Sequence, residues 1–145
     1  MEIRFATIDD LPQILGLYAQ LNPEDSPIDL ATAEKIWKDG EARNAVKYIV
    51  ATENGAVVGT CNIAIIPNLT RSGRPYGVIE NVITDAGCRR AGIGRAIMEK
   101  AVEFAKSNDC YKVLLQSSVK REEAHRFYES IGFSGTTKKG FERRL

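Results

Sequence analysis

The sequence predicts an α/β (α+β) fold, with a mixed central sheet of six to seven strands flanked by about four helices. Three observations carry this. First, strand-like runs follow one another at 48–52, 57–66 and 76–84, the first two joined by Asn54-Gly55, a pair that accepts positive φ in a tight hairpin. Second, residues 78–84 lead through a glycine-bearing turn into a helical pattern ending near 106, and a strand follows at 111–116. A strand–helix–strand unit of that length pairs its strands in parallel with a right-handed crossover. Third, residues 120–131 place Ala124, Phe127, Tyr128 and Ile131 on one helical face and close on Gly132, a left-handed helix-ending position.

The remaining elements fit around this frame. Residues 2–7 alternate as a short strand with Ile3 and Phe5 on one side. Thr7 or Asp9 can cap a helix that has Pro12 in its first turn, runs to about Leu21 and carries Leu11, Ile14, Tyr18 and Leu21 as its apolar stripe. Residues 22–27 form a breaker-rich loop. A second helix over 30–42 has Ala33, Ile36 and Trp37 as its apolar side, with core packing the favoured role for Trp37. Residues 133–145 are expected to form one or two short strands. No repeat, low-complexity stretch or linker divides the chain, so residues 1–145 read as a single domain.

With 20 basic against 19 acidic side chains and a net charge of +1, a broad nucleic-acid or membrane surface is not expected. No apolar run approaches the ~20 residues that span a bilayer, and the first residues, MEIRFATIDD, contain no signal-peptide apolar stretch. Cys61, Cys88 and Cys110 are odd in number and widely spaced. Neither a disulfide framework nor a metal site is expected, and reduced thiols in a cytoplasmic protein are. Cys88 lies beside arginines near a helix start, but no acid–base partner accompanies it and no catalytic role is assigned to it.

The segment that carries chemistry is VIENVITDAGCRRAGIGRAIMEK, residues 78–100. The first turn of a helix has unpaired N–H groups and partial positive charge, and so attracts anions. Glycines at 92 and 94 remove side chains that would hold an anion away. Arg89, Arg90 and Arg95 put full positive charge at an end that disfavours it, which calls for an external anion. The segment is not a Walker A loop, and the three-glycine dinucleotide fingerprint is incomplete.

Residues 89–94 match Arg/Gln-x-x-Gly-x-Gly/Ala at a strand–helix junction. Residues 124–133, Ala-His-Arg-Phe-Tyr-Glu-Ser-Ile-Gly-Phe, match A-x-x-F-Y-x-x-x-G-F. In this order and about 30 residues apart, the two segments resemble the signature of the GNAT superfamily of acetyl-CoA-dependent N-acyltransferases, and the resemblance covers nearly the whole chain. It implies that Arg89, Arg90, Ala91, Gly92, Ile93, Gly94, Arg95 and Ala96 hold the pyrophosphate of acetyl-CoA. It also implies that the 78–84 strand splays from the 111–116 strand, so that Val82, Ile83 and Thr84 hydrogen-bond the pantetheine arm. Tyr128 matches the acid that protonates the departing thiolate. Many members carry asparagine where this chain has Arg121, so that contact to the coenzyme arm is in doubt, though an arginine could meet a phosphate instead.

Glu80 is the candidate general base. It is the one carboxylate within an apolar strand, two residues before Val82 and so on the same face, and burial would raise its pKa. Pairing with an arginine is the equal alternative, and a chain of waters could replace it. By resemblance, the 22–27 loop and the first two helices wall the acceptor site, so Glu24, Asp25 and Trp37 are candidate contacts. Arg71 and Arg74 would rim the same site, with solvated loop charge the favoured alternative. His125 is expected on the helix surface.

The implied acceptor is a primary amine, most simply of a small molecule. Short stretches resemble aminoalkylphosphonate and glucosamine 6-phosphate N-acetyltransferases. A protein or peptide amine, a catalytically silent CoA-binding module and a nucleotide-binding module are the competing readings. A homodimer is left open, as family members are often dimers.

Overall fold

A computed structural model describes residues 1–145. Its elements are β1 (Glu2–Phe5), α1 (Leu11–Leu21), α2 (Leu30–Ala42), β2 (Lys47–Glu53), β3 (Ala56–Ile66), β4 (Tyr76–Thr84), α3 (Ile93–Ser107), β5 (Val113–Leu115) and α4 (Glu122–Ser130). Short 3-10 turns lie at Ile8–Asp10, Arg71–Gly73 and Ala86–Cys88. The strands form one sheet in the order β1-β2-β3-β4-β5. The first four pair antiparallel, and β5 joins β4 in parallel after the α3 crossover. Asn54 (φ 50°) and Gly55 (φ 81°) make the β2–β3 turn in the left-handed region, as their side chains allow.

Each face of the sheet is covered by its own helices. α3 lays Ile93, Ile97, Met98, Ala101 and Ala105 against Ile49, Cys61, Ile63 and Ile79, with Tyr128 of α4 in the same cluster. On the other face, Leu11, Ile14 and Leu17 of α1 and Ala33 and Trp37 of α2 cover Val50, Val57 and Ile83. Trp37 stacks on Tyr48 at 4.4 Å between ring centroids, so its core role holds. Ile36 does not join it and is 55% exposed. A Cβ on Gly59 would lie 2.8 Å from Ile97 Cδ1 and 2.9 Å from Ile93 Cγ2. The bare glycine therefore lets the start of α3 press directly on β3.

The sheet has five strands rather than six or seven. Residues 133–145 form no strand, because Gly135, Gly140, Lys138, Lys139, Arg143 and Arg144 interrupt any apolar alternation. Phe141 and Leu145 extend into solvent. α4 starts at Glu122 rather than 120, and Gly132, at φ 94°, takes the left-handed position just past its end.

β4 is not a uniform strand. Thr60 faces Ile83 and Asn62 faces Glu80, so Asn81 and Val82 together oppose Cys61. Asn81 adopts φ 55°, a left-handed conformation that asparagine tolerates better than most residues. The extra residue reverses the alternation. Ile79 and Val82 both pack toward α3, whereas Ile83 packs toward α1 and α2. Glu80 and Val82 therefore face opposite sides of the sheet, contrary to the expectation from regular spacing.

Candidate active site

β4 and β5 pair only from Gly77↔Val113 to Ile79↔Leu115. Beyond Ile79, β4 continues for five residues with β3 alone on one side. The Asp85 amide donates to Val58 O at 2.9 Å. By alternation, the main-chain groups of Thr84 and Val82 then face the side that β5 leaves open. β5 ends at Leu115, so no strand pairs with β4 on this side beyond Ile79, and Val82, Ile83 and Thr84 lie along that unpaired edge.

This edge ends at the start of α3. Arg90 (φ 65°) and Gly92 (φ 78°) both take left-handed conformations, and Gly92 is the residue preceding the helix. No side chain caps α3 and no acid stands in its first turn. Ala96 N already bonds Gly92 O, so the amides of Ile93, Gly94 and Arg95 are the helix donors left over. Ile93 is buried and anchors the turn, Ala91 is exposed, and Ala96 is half-buried. Arg89 and Arg90 are exposed, and Arg90 lies 3.9 Å from Glu123. Arg95 reaches Ser130 O at 3.4 Å and Glu99 at 3.9 Å.

Gly94 also lies where α4 and the end of β4 meet α3. A Cβ there would stand 3.4 Å from Phe127 Cζ and 3.6 Å from Thr84 Oγ1. α4 and the end of β4 thus close to contact distance on this residue, and at this point the two signature segments touch.

Tyr128 is buried at 9% exposure, between Phe127 and Phe133. Burial foremost raises its pKa above the ordinary tyrosine value; the Arg121 charge pulls it down, and Cys61 and Glu80 push it further up. Glu80 and Arg121 thus both act electrostatically on the Tyr128 hydroxyl. Glu80 is exposed, so the burial expected for it is absent. Arg121 precedes α4, with its N–H on Ser118 O at 3.0 Å and its carbonyl accepting from His125 N. His125 Nε2 lies 2.8 Å from Ser118 O and ties α4 to the preceding turn. Cys61 is enclosed, and burial pushes its thiol up to about 12. Cys88 is half-buried at the edge of the same apolar cluster.

Arg71 and Arg74 differ from one another. Arg74 bonds Asp109 and the Cys110 carbonyl, bracing the loop between α3 and β5. Arg71 has only the Tyr111 ring beneath it, 5.7 Å from the centroid. Lys112 lies over both Tyr76 and Tyr111. Tyr76 and Glu80 share a face of β4, opposite Gly77 and Ile79, so these cations border the face that carries the carboxylate. Glu24 and Asp25 are exposed on the loop after α1. Sequence reasoning missed Gln20 and Asp85, which bond each other across 65 residues. No local pattern signals a contact of that separation.

The sequence profile of the acetyltransferase (GNAT) family matches residues 11–133. The glucosamine 6-phosphate N-acetyltransferase of Trypanosoma brucei brucei is 35% identical over 135 residues, covering 92% of this chain and 88% of that protein. The aminoalkylphosphonate N-acetyltransferase of Salmonella typhimurium is 28% identical, covering 91% and 84%. A solved protein from Agrobacterium tumefaciens is 41% identical over the whole of both chains, with a TM-score of 0.94. A match over most of the length, on a scaffold where both signature segments meet at Gly94, leaves one assignment: the chain belongs to the GNAT family and is an acetyltransferase.

Proposed function

We propose that this chain transfers the acetyl group of acetyl-CoA to the primary amine of a small molecule that also carries a phosphate or phosphonate. The observation that carries the reading is the unpaired end of β4 running into an uncapped, arginine-flanked helix start, with Tyr128 buried nearby. The two curated relatives described above, named for glucosamine 6-phosphate and for aminoalkylphosphonate, support the acceptor class.

In this reading the diphosphate of the coenzyme lies on the amides of Ile93, Gly94 and Arg95, with Arg89, Arg90 and Arg95 supplying charge. The pantetheine arm lies along Val82, Ile83 and Thr84 as an added strand would. A main-chain amide at Val82 donates to the thioester oxygen as it gains negative charge, a contribution typically worth ~3 kcal/mol of barrier. The acceptor amine must lose a proton before attack, since alkyl ammonium groups titrate near pH 10. Glu80, or water held by it, receives that proton. Its exposure leaves room for water between the carboxylate and the amine, which favours the water-linked route. Tyr128 gives its proton to the leaving thiolate. Its raised pKa keeps the hydroxyl protonated throughout the neutral range, so no loss of activity from tyrosine ionisation is expected below about pH 10. Arg71 and Lys112, which rest on aromatic rings rather than on carboxylates, are the cations for the acceptor's phosphate.

The test is release of free CoA thiol with glucosamine 6-phosphate, an aminoalkylphosphonate, unphosphorylated glucosamine and a peptide amine. Turnover only with the phosphorylated or phosphonylated amines is expected. Turnover with the peptide alone would overturn the acceptor class, and coenzyme binding with no turnover on any amine would make the chain a silent CoA-binding module. Tyr128→Phe should keep coenzyme affinity and lose most of kcat; unchanged kcat would remove Tyr128 from the mechanism.

A further inference from the structure

The Gln20 carboxamide joins α1 to the turn that leads into α3. Its Nε2 donates to Asp85 Oδ2 at 2.8 Å, and its Oε1 accepts from Ala86 N at 3.2 Å. Asp85 spends its other oxygen on Gly87 N at 2.9 Å, and its carbonyl accepts from Cys88 N. Residues 85–88 are thus wound into one compact turn, and Gln20 is the side chain from another element that holds it. The Gln20 bond, ahead of the Gly87 bond, holds the Asp85 carboxyl below the usual carboxylate range. The turn feeds directly into Arg89, Arg90 and Gly92, so its setting determines where the unpaired amides of α3 point. The other end of Gln20 is the last turn of α1, next to the loop bearing Glu24 and Asp25.

We infer that Gln20 is a positioning residue: its two hydrogen bonds set the phosphate-facing turn against α1. This rests on the reading of that turn as the coenzyme site. Gln20 touches neither coenzyme nor acceptor, so its effect travels through the geometry of the turn. Gln20 is solvent-exposed and Asp85 only half-buried. Removing these bonds therefore leaves no buried group unpaired and should barely change the stability of the fold. The turn would instead sample settings in which its amides no longer converge, and coenzyme affinity would fall by the fraction of time spent in them.

Gln20→Ala and Gln20→Glu are the variants to measure. Glutamate can still accept from Ala86 N but faces the Asp85 carboxylate with like charge. Both should raise KM for acetyl-CoA by about three- to tenfold and weaken CoA in calorimetry by the same factor, with kcat within about twofold of the parent. The melting temperature should move by no more than about 2 °C. Gln20→Ala and Asp85→Ala combined should cost less coenzyme affinity than the two changes summed, since each removes the same contact. Unchanged KM with the parent enzyme active would overturn the proposal and leave the coenzyme site standing. A parallel collapse of kcat and melting temperature would also overturn it, by making Gln20 merely structural. No heat from CoA with the parent chain would instead overturn the site itself.

Discussion

Three helices of this protein begin in different ways. α2 starts with Asp29, whose carboxylate accepts from Thr32 N at 3.0 Å and from the Thr32 hydroxyl at 2.6 Å. α4 starts with Glu122 and Glu123 in its first turn, charges that suit the positive end of a helix. α3 has neither cap nor acid, and has Arg89, Arg90 and Arg95 around it. The first is capped by its own side chain, and the second, though uncapped, carries its own acids. The third is held from below, by Ile93 and Ile97 on Gly59, and from the side, by Phe127 on Gly94. Packing supplies what capping supplies elsewhere, and the polar face of the turn stays free for an anion.

Three changes probe that contrast. Gly59→Val should have the largest effect, because its side chain must enter space held by Ile93 and Ile97; a loss of about 3 kcal/mol in urea unfolding is expected. Little change would show that α3 is not seated by that contact. Arg95→Glu gives α3 the acidic first turn of α4. The gain from the helix dipole is offset by repulsion from Glu99, so stability should change little while CoA affinity in calorimetry falls about tenfold, or about 1.4 kcal/mol. Equal affinity would mean that the turn does not bind phosphate. Asp29→Ala should do the reverse, lowering the urea midpoint with no change in CoA affinity.

The smallest effect concerns pH. Asp10 accepts two hydrogen bonds from Arg4, at 2.7 and 2.8 Å, which foremost lower its pKa below the ordinary value; the Thr7 amide adds to this and burial opposes it. A depressed carboxyl stabilises the fold above its unfolded pKa of about 3.9, and that contribution is lost as pH falls through the lower folded value. Parent and Arg4→Met should therefore differ in melting temperature at pH 6, and the difference should shrink as pH falls through the lowered folded value. A constant difference across that range would show that Arg4 acts through packing alone.

Much of the frame could be read from residue order. The 30–42 helix and the 76–84 strand have the expected bounds, and Asn54-Gly55 makes the hairpin, because these signals are local. Gly94 stood out by its spacing, but its place against Phe127 of α4 and Thr84 of β4 had no local signal. Gly59 and Gln20 carried no signal, since their partners lie far along the chain. The exposure of Glu80 and its separation from Val82 could not be foreseen either. A run such as IENVIT reads as unbroken strand, and only pairing with β3 reveals the bulge.

That bulge behaves like a dropped stitch. Side chains before and after Asn81 are set in opposite phases, so drawing this asparagine into the ladder as a regular strand residue would turn Ile79 and Ile83 to the same side of the sheet. An apolar residue would then leave the α1–α2 layer. The same straightening would turn Val82 away from α3 and undo both a helix layer and the cleft wall, whereas deleting Asn81 outright would keep both phases.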